Sequence, residues 1–430
     1  MSHKLNLKEF SFLVYGLGAS GISVIKYFKK KNFINYFTWD DNPKFKKKFK
    51  SKNTSNINKT FKEVDYIVLS PGISIKNSKH KKKLLKFKKK IITDIDLLYL
   101  SSPGIKSIVV TGSNGKSTTC KIIAHLLKKN GFNVGLGGNI GTPVLKLKIK
   151  KNIFLVIEAS SFQLSHSKFI HPDYAILLNI TNDHVDWHGS TQAYIESKLK
   201  IFNLQKKNNF ALVNNNFKEI FNRKKYLSKL VPLKFIDYKK IKSKIKNNYL
   251  TSLTNDENMN FVFSLSKLLK ISEKSFIKSM GSFIGLPHRH EVFLKKKYIT
   301  FINDSKATSF QATKTALASS KNIYWILGGL PKKKDKINLK NLKYNIIKSY
   351  IIGKDINFFK KQLKNKVKFS VEVNLKKAVV SVLKDIRLLK KNKTTVLLSP
   401  SAASFDQFKN FEQRGNVFKK LSRLYVKKFI

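Results

Sequence analysis

Residues 106–129 read Lys106-Ser107-Ile108-Val109-Val110-Thr111-Gly112-Ser113-Asn114-Gly115-Lys116-Ser117-Thr118-Thr119-Cys120-Lys121-Ile122-Ile123-Ala124-His125-Leu126-Leu127-Lys128-Lys129. The apolar run Ser107–Val110 predicts a strand, and the pattern from Cys120 to Lys129 predicts a helix. Between them, Thr111–Thr118 carries two glycines and ends Gly-Lys-Ser-Thr. A strand, a glycine-rich turn and a helix form the setting of a phosphate loop, in which backbone N–H groups and the helix N-terminus cradle phosphate oxygens. In that reading Gly112, Ser113, Asn114, Gly115, Lys116, Ser117 and Thr118 surround a nucleotide triphosphate. Lys116 neutralises its terminal phosphates and the Ser117 hydroxyl reaches Mg²⁺. The loop is short: only Ser113-Asn114 separate Gly112 from Gly115, where the general motif has four residues. The plain alternative is a glycine turn before a helix, with no ligand.

The same grammar recurs outward from this stretch. Phe12–Tyr15 precedes Gly16, Tyr66–Leu69 precedes Ser70-Pro71-Gly72, and further apolar runs occur at Phe154–Ile157, Tyr174–Leu178, Tyr324–Leu327, Tyr350–Ile352 and Thr395–Leu398. Strands alternating with helices predict an α/β protein with parallel sheets. Turn residues at Ser101-Ser102-Pro103-Gly104 and Gly285-Leu286-Pro287 mark boundaries, dividing the chain into domains of residues 1–100, 101–286 and 287–430. Leu145–Lys151 and Lys332–Lys336 read as solvated lysine-rich linkers. Lys206–Thr251, rich in Lys and Asn, shows no clear pattern.

The length, 430 residues, suits two to four domains, and 42% apolar content with 12% aromatic excludes disorder. No apolar run reaches the ~18–20 residues of a membrane span, so no membrane insertion is expected. The start lacks the apolar stretch of a signal peptide, and one cysteine, Cys120, excludes an internal disulfide; a cytoplasmic protein is expected. The charge is the outlier: 86 Lys+Arg against 25 Asp+Glu, formally +61. A nucleic-acid or acidic-membrane binder is one reading. Only five of these cations are arginine, and Phe, Tyr, Ile and Asn are also abundant. That pattern fits A/T-rich codons with lysine as surface filler, so no nucleic-acid partner is expected.

Other polar clusters follow strands. Gly16-Leu17-Gly18-Ala19-Ser20-Gly21 fits G-x-G-x-x-G, with Asp40 about twenty residues on, as in dinucleotide folds. Any pyrophosphate at a helix N-terminus meets the same need, and so does tight strand–helix packing. Glu158-Ala159-Ser160-Ser161-Phe162-Gln163-Leu164 and Asn179-Ile180-Thr181-Asn182-Asp183-His184-Val185-Asp186 each end a strand, where α/β ligand crevices lie. Glu158 and His184 therefore face the phosphate loop and offer ligands for Mg²⁺. The bland alternatives are a core histidine at His184 and turn caps at Asp183 and Asp186. Asn303-Asp304-Ser305-Lys306-Ala307-Thr308 and Ser399-Pro400-Ser401-Ala402-Ala403-Ser404-Phe405-Asp406 place small hydroxyl residues at helix starts, suited to anions or to simple N-capping.

Taken together, these motifs resemble the Mur ligases, ATP-dependent amide-bond-forming enzymes of bacterial cell-wall synthesis. The short loop is the family's own form. Gly137-Gly138-Asn139-Ile140-Gly141, His288-Arg289 and Gly328-Gly329 also fall in family order. The most specific match, Ser404-Phe405-Asp406-Gln407-Phe408-Lys409-Asn410-Phe411-Glu412-Gln413-Arg414-Gly415, points to the branch that adds D-glutamate.

The resemblance implies three domains: a Rossmann-like first, a central phosphate-loop ATPase-like second and a Rossmann-like third. The first would bind the UDP group of UDP-N-acetylmuramoyl-L-alanine through Ala19, Ser20, Asp40, Ser70 and Gly72, with Asn139 of the second assisting. The second would bind ATP and two Mg²⁺, with Ser117, Glu158, His184 and a carbamylated Lys198 around the metals. Lys116, His184 and Lys198 would be catalytic. Asn255, Asn258, Arg289 and Asp304 would contact the nucleotide, and Lys306, Thr308, Ser404, Phe405 and Phe411 would seat D-glutamate. A monomer is implied. Taken from the residue alone, Lys198 reads as one more solvated helix lysine. There are departures. Thr254-Asn255-Asp256-Glu257-Asn258 lacks the His of the family's His-Asn-x-x-Asn, Asp41-Asn42 stand where a basic residue is common, and Ser401-Ala402-Ala403 stand where a cysteine often occurs. Rival readings are a folylpolyglutamate synthase-like ligase, which the Gly16–Gly21 motif disfavours, a nucleotide-dependent nucleic-acid-binding protein, and an NAD-dependent dehydrogenase.

Overall fold

The computed structural model describes residues 6–46, 49, 52–181, 184–332, 335–388 and 392–430. They build three sheets in two compact units, Met1–Ile245 with Glu257–Gly281, and Lys246–Asp256 with Ser282–Ile430.

The first unit holds two parallel sheets. One contains β1 (Phe12–Tyr15), β2 (Tyr36–Trp39), β3 (Tyr66–Leu69) and β4 (Ile91–Ile92) in the order β2-β1-β3-β4. Successive side chains of a strand face opposite ways, so β1 feeds two cores. Phe12 and Val14 pack with Val24, Phe28 and Phe33, while Leu13 and Tyr15 pack with Ile57, Phe61 and Ile67. Burial on both faces explains why β1 is apolar throughout, as parallel strands covered by helices are. The strand order reverses between β1 and β3, and ligands bind at such points.

The other sheet contains β5 (Lys106–Thr111), β6 (Asn133–Gly138), β7 (Ile153–Glu158), β8 (Tyr174–Leu177), β9 (Phe210–Val213) and β10 (Lys229–Pro232), in the order β10-β9-β8-β5-β7-β6. The strand before the phosphate loop, β5, is thus central, flanked by β7 and β8. The three loops following these strands open at the same edge.

The second unit has one sheet: β11 (Glu291–Lys296), β12 (Ile299–Asn303), β13 (Ile323–Gly328), β14 (Ile346–Ile352), β15 (Phe369–Val373) and β16 (Thr394–Leu398), in the order β11-β12-β16-β13-β14-β15. All pairs are parallel except β11 with β12. Tyr324 and Ile326 pack under Ala378, Val382 and Phe418 on one face, and Trp325 and Leu327 against Leu317 and Phe359 on the other.

Two sequence expectations need correction. Lys206–Thr251 contains β9, β10 and helices at Lys218–Arg223 and Phe235–Lys242. Leu145–Lys151 is no solvated linker along its whole length, because Leu145 is buried and Leu147 packs against the core. Within Lys332–Lys336, residues 333 and 334 lie outside the described residues. No described helix is long and apolar enough to cross a membrane.

Candidate active site

The phosphate loop begins where β5 ends. Gly115 has φ +84, the left-handed region open to glycine, and is the N-cap of the helix Lys116–Lys129. A Cβ there would lie 2.3 Å from the Asn258 Oδ1 atom, so glycine is required on two grounds. Asn258 also accepts from the Thr119 hydroxyl at 3.1 Å. The neighbouring loop is lashed to the segment after β8. Ser113 N–H donates to the Asn179 carbonyl (2.8 Å), Asn114 N–H to Asn179 Oδ1 (2.9 Å) and Thr181 N–H to the Ser113 hydroxyl (2.9 Å). Asn179 Nδ2 in turn donates to Glu257 at 2.8 Å. This lattice fixes the loop backbone before any ligand arrives.

Three charged side chains gather around it. Lys116 donates to the carbonyls of Gly112 (2.7 Å) and Ser113 (2.8 Å). Lys198, on the helix Thr191–Leu199, donates to the same Gly112 carbonyl at 2.8 Å, and its ammonium lies 4.7 Å from the Tyr194 ring centre. Lys198 is only 1% exposed, which overturns its reading as a solvated lysine. Glu158, last in β7 and 2% exposed, accepts from Asn139 Nδ2 at 2.8 Å through Oε1. Its Oε2 is buried with no hydrogen-bond partner. A carboxylate oxygen left without a donor is costly to bury, and a bound cation is the chemistry that answers it. Ser117 is buried in the first helical turn beyond the loop. Among the described residues no three His, Cys, Asp or Glu side chains form a metal-holding group.

His184 is exposed, with φ +52, and its ring packs 4.7 Å from that of Phe162. It is therefore not a core histidine. The neighbouring His188 is half-buried; its Nε2 lies 3.0 Å from the Ser161 hydroxyl and its pKa is pushed down to about 4, chiefly by burial. Asp183 lies outside the described residues, and Asp186 is exposed in the helix Val185–His188.

At the β1/β3 switch point, the helix Ala19–Lys30 starts at exposed Ala19 and half-buried Ser20. Asp40 braces the loop beneath, accepting from Leu17 N–H (2.6 Å) and Asn42 N–H (2.8 Å). The Ser70 hydroxyl donates to the Gly16 carbonyl at 2.7 Å. A Cβ at Gly21 would fall 1.9 Å from the Gly16 oxygen, so the packing role of these glycines is real. Gly72 has open space around it. Asp41 is engaged by Tyr15 (2.9 Å), Trp39 Nε1 (3.1 Å) and Ser78 (3.3 Å).

In the second unit, Asp304 is buried after β12 and accepts from His290 N–H (3.0 Å) and the Ser399 hydroxyl (2.8 Å). Burial pushes its carboxyl up to about 7, against the pull of half-buried Arg289. Asn255 is buried and donates to the Tyr249 carbonyl at 2.8 Å. The Lys306 ammonium sits 3.8 Å over the Phe411 ring. Thr308 is half-buried on the same loop, Ser404 is buried, and Phe405 is 71% exposed. Arg414 received no role from the sequence. It is 1% exposed and donates to Ser305 Oγ (3.1 Å), Ser305 O (2.9 Å), Ala402 O (3.0 Å) and Gly328 O (3.4 Å). It thereby joins the loops after β12, β13 and β16. Tyr194 was also missed. Its hydroxyl lies 2.7 Å from Ser113 Oγ, and its spacing of four before Lys198 on one helix was the available signal.

A lashed phosphate loop beside a buried carboxylate with an open oxygen, in an α/β frame, defines a protein built to hold nucleotide phosphates. The sequence profile of the Mur ligase middle domain matches residues 110–284. The chain is 36% identical to the UDP-N-acetylmuramoylalanine–D-glutamate ligase of Rickettsia felis over 435 residues, covering 95% of this chain and 96% of that one. It is 34% identical to the enzyme of the same name from the Wolbachia of Brugia malayi, covering 96% and 95%. Among solved structures, the MurF ligase of Thermotoga maritima in complex with ADP matches with a TM-score of 0.57 at 16% identity, covering 98% and 99% of the two chains. The UDP-N-acetylmuramate-alanine ligase MurC of the same organism matches at 0.54 and 15%, covering 98% and 99%. The chain belongs to the Mur ligase family.

Proposed function

We propose that this chain is a cytoplasmic, monomeric, ATP-dependent ligase that joins D-glutamate to UDP-N-acetylmuramoyl-L-alanine in peptidoglycan synthesis. The observation that carries the chemistry is the Glu158 carboxylate, buried with one oxygen unpartnered at the strand edge shared with the phosphate loop. The names of the full-length relatives supply the substrate class.

In this reading the sugar-nucleotide carboxylate attacks the γ-phosphorus of ATP, and ADP leaves. The D-glutamate amine then attacks the acyl phosphate, and phosphate leaves through a tetrahedral intermediate. Activation is needed because a carboxylate is a poor electrophile. Lys116 and the helix N-terminus that follows Gly115 hold the phosphates as charge shifts during transfer. Two Mg²⁺ ions, when bound, would neutralise phosphoryl charge, held by Ser117, Glu158, His184 and a carbamate on Lys198. Asn139 steadies Glu158 and in this reading would meet the sugar nucleotide. Ala19, Ser20, Asp40, Ser70 and Gly72 take the UDP group on the first domain (residues 1–100). Asn255, Asn258, Arg289 and Asp304 would contact the nucleotide. Lys306, Thr308, Ser404, Phe405 and Phe411 seat D-glutamate on the third domain (287–430), beyond the central one (101–286).

The test is phosphate release from ATP with UDP-N-acetylmuramoyl-L-alanine and each candidate amino acid in turn. Release coupled to peptide product with D-glutamate alone is expected. Coupling to a folate substrate, or to polynucleotide, would replace this reading.

A further inference from the structure

In the second unit a line of buried hydroxyls ends on Asp304. Thr313, in the middle of the helix Phe310–Ala318, is fully buried. Its Oγ1 lies 2.9 Å from Ser399 Oγ and 2.9 Å from Ser401 Oγ, both buried on the loop after β16. Ser399 Oγ in turn lies 2.8 Å from Asp304 Oδ2, on the loop after β12. Thr313 thus joins its helix to both loops.

Each hydroxyl carries one proton, which fixes the direction of the line. The Ser399 proton goes to the Asp304 carboxylate. The Ser399 carbonyl, 3.5 Å from Thr313 Oγ1, is too far for a good O–H···O bond, and Trp325 Nε1 already donates to it at 2.8 Å. The Thr313 proton therefore goes to Ser399 Oγ, and the Ser401 proton to Thr313. Donors in series polarise one another, so all three act on Asp304. Ser401 has φ +56, uncommon for a residue other than glycine, and its bond to Thr313 holds it there.

Asp304 Oδ1 accepts from His290 N–H at 3.0 Å. With the Ser399 bond, two of the four lone-pair positions of the carboxylate are used, and two are left for a ligand's donors. Burial works against ionisation, pushing the Asp304 carboxyl up to about 7, and Arg289 pulls it down. The His290 ring, held near 4 by burial, adds no charge at neutral pH. Lys314, on the helix of Thr313, is exposed, Lys306 sits over Phe411, and Arg414 is spent on Ser305, Ala402 and Gly328. Hydrogen bonds to a charged form favour that form, so the hydroxyl line works with Arg289 to keep Asp304 an acceptor.

We propose that Thr313 is a positioning residue for nucleotide binding: through Ser399 it holds Asp304 as the carboxylate that accepts the nucleotide's hydrogen-bond donors. This rests on the nucleotide role proposed for Asp304.

The test is equilibrium binding of ADP, with Mg²⁺, to the full chain from pH 5.5 to 8.5, in wild type, Thr313→Val and Thr313→Ser. Valine keeps the shape without the hydroxyl, and serine keeps the hydroxyl. The titration of ADP itself is common to all three and cancels between them. Wild-type affinity should fall as pH drops through about 7. The Thr313→Val midpoint should lie higher by about half a pH unit or more, since a carboxylate that loses donors holds its proton more tightly. Thr313→Ser should restore the wild-type midpoint. A merely structural hydroxyl would lower Tm and leave the midpoint in place. If Thr313→Val does not fold, Ser401→Ala, which removes only the outermost hydroxyl, should move the midpoint the same way by a smaller amount. Coincident midpoints overturn the role of Thr313 and leave Asp304 its nucleotide. A wild-type chain without ADP affinity at any pH overturns that role together with the nucleotide reading beneath it.

Discussion

Two lysines answer to one carbonyl. Lys116 and Lys198 both donate to Gly112 O, so two cations sit close together where little water reaches. In such a place like charges disfavour each other. On the proposed reading a carbamate would resolve this: the neutral Lys198 amine would add to CO₂, with an N–C bond formed and a proton released, so that the side chain would become an anion facing a cation. The predicted order of activities follows from sign and not size. Lys198→Arg keeps the positive charge, cannot take up CO₂, and should be nearly inactive. Lys198→Glu carries a carboxylate on a shorter stem and should recover a small part of the activity. Enzyme stripped of CO₂ should lose turnover and regain it with bicarbonate. Full activity of the arginine variant would reduce Lys198 to a packing residue. For Lys116, proposed to meet the transferring phosphoryl group, Lys116→Ala should lower kcat about a hundredfold, or about 2.7 kcal/mol. Its Tm should barely move, since the side chain's bonds are to its own loop. Near wild-type turnover would place ATP chemistry elsewhere.

At the scale of elements, the second unit depends on an arginine. Arg414 lies in the helix Phe411–Phe429, and burial pulls its guanidinium down to about 10, with Asp406 opposing. Its planar fork satisfies carbonyls on three loops at once, a geometry that lysine lacks. One of these loops carries Lys306 and another Ser404, so Arg414→Lys should raise the KM for D-glutamate several-fold while changing the KM for ATP less. Stability should fall by about 2 kcal/mol, because carbonyls lose charge-assisted bonds. Equal effects on both substrates would make the clamp merely structural. The sequence displayed Arg414 within its most specific block but gave it no role, because nothing in a linear pattern says which strand ends a side chain spans. β5, β7 and β8 were legible for the opposite reason: buried on both faces, they are continuous apolar runs closed by glycine or polar turns. β9 and β10 are four residues each within lysine-rich surroundings, and β10, half-buried at a sheet edge, needs little apolar content. Lys198 could not be separated from its many fellow lysines by pattern, since burial is a tertiary property.

Elements also couple through buried acids. Asp94, at the start of the helix Asp94–Ser101, accepts from Gln163 Nε2 at 3.4 Å, and burial pushes its carboxyl up to about 6. Between the ordinary aspartate value and 6, the folded chain keeps a proton that the unfolded chain releases. The Asp94 contribution to stability therefore falls as pH rises through this window, by up to about 1.4 kcal/mol per pH unit. His290 behaves oppositely. Held near 4 by burial, it stays neutral while the unfolded chain takes up protons, so its contribution is full above about 6.5 and is lost as pH falls toward 4. Asp94→Asn removes only the first trend. Its stability, measured by denaturant unfolding from pH 4.5 to 6, should climb with pH more steeply than wild type by about 1.4 kcal/mol per unit. Parallel profiles would mean that Asp94 is ionised in the fold.

On the whole molecule the net charge of +61 acts as a field. Its candidate ligands, ATP, the sugar nucleotide and D-glutamate, are all anions, so the field raises their local concentration and speeds encounter without touching the bond-making step. Salt screens this field over about 10 Å at 0.1 M, whereas contacts within the phosphate loop are too short and too enclosed to be screened as much. Raising NaCl from 50 to 500 mM should therefore raise the KM for ATP several-fold and leave kcat within about twofold. Polynucleotide should bind the lysine-rich surface with a steep dependence on salt, as any polyanion would. It should compete weakly with nucleotide and never stimulate turnover. The two halves of the experiment separate the readings of the charge. A KM that tracks salt with constant kcat assigns it to steering. A turnover that rises when single-stranded DNA or RNA is added would show that the basic surface serves a nucleic-acid partner and that lysine here is more than surface filler.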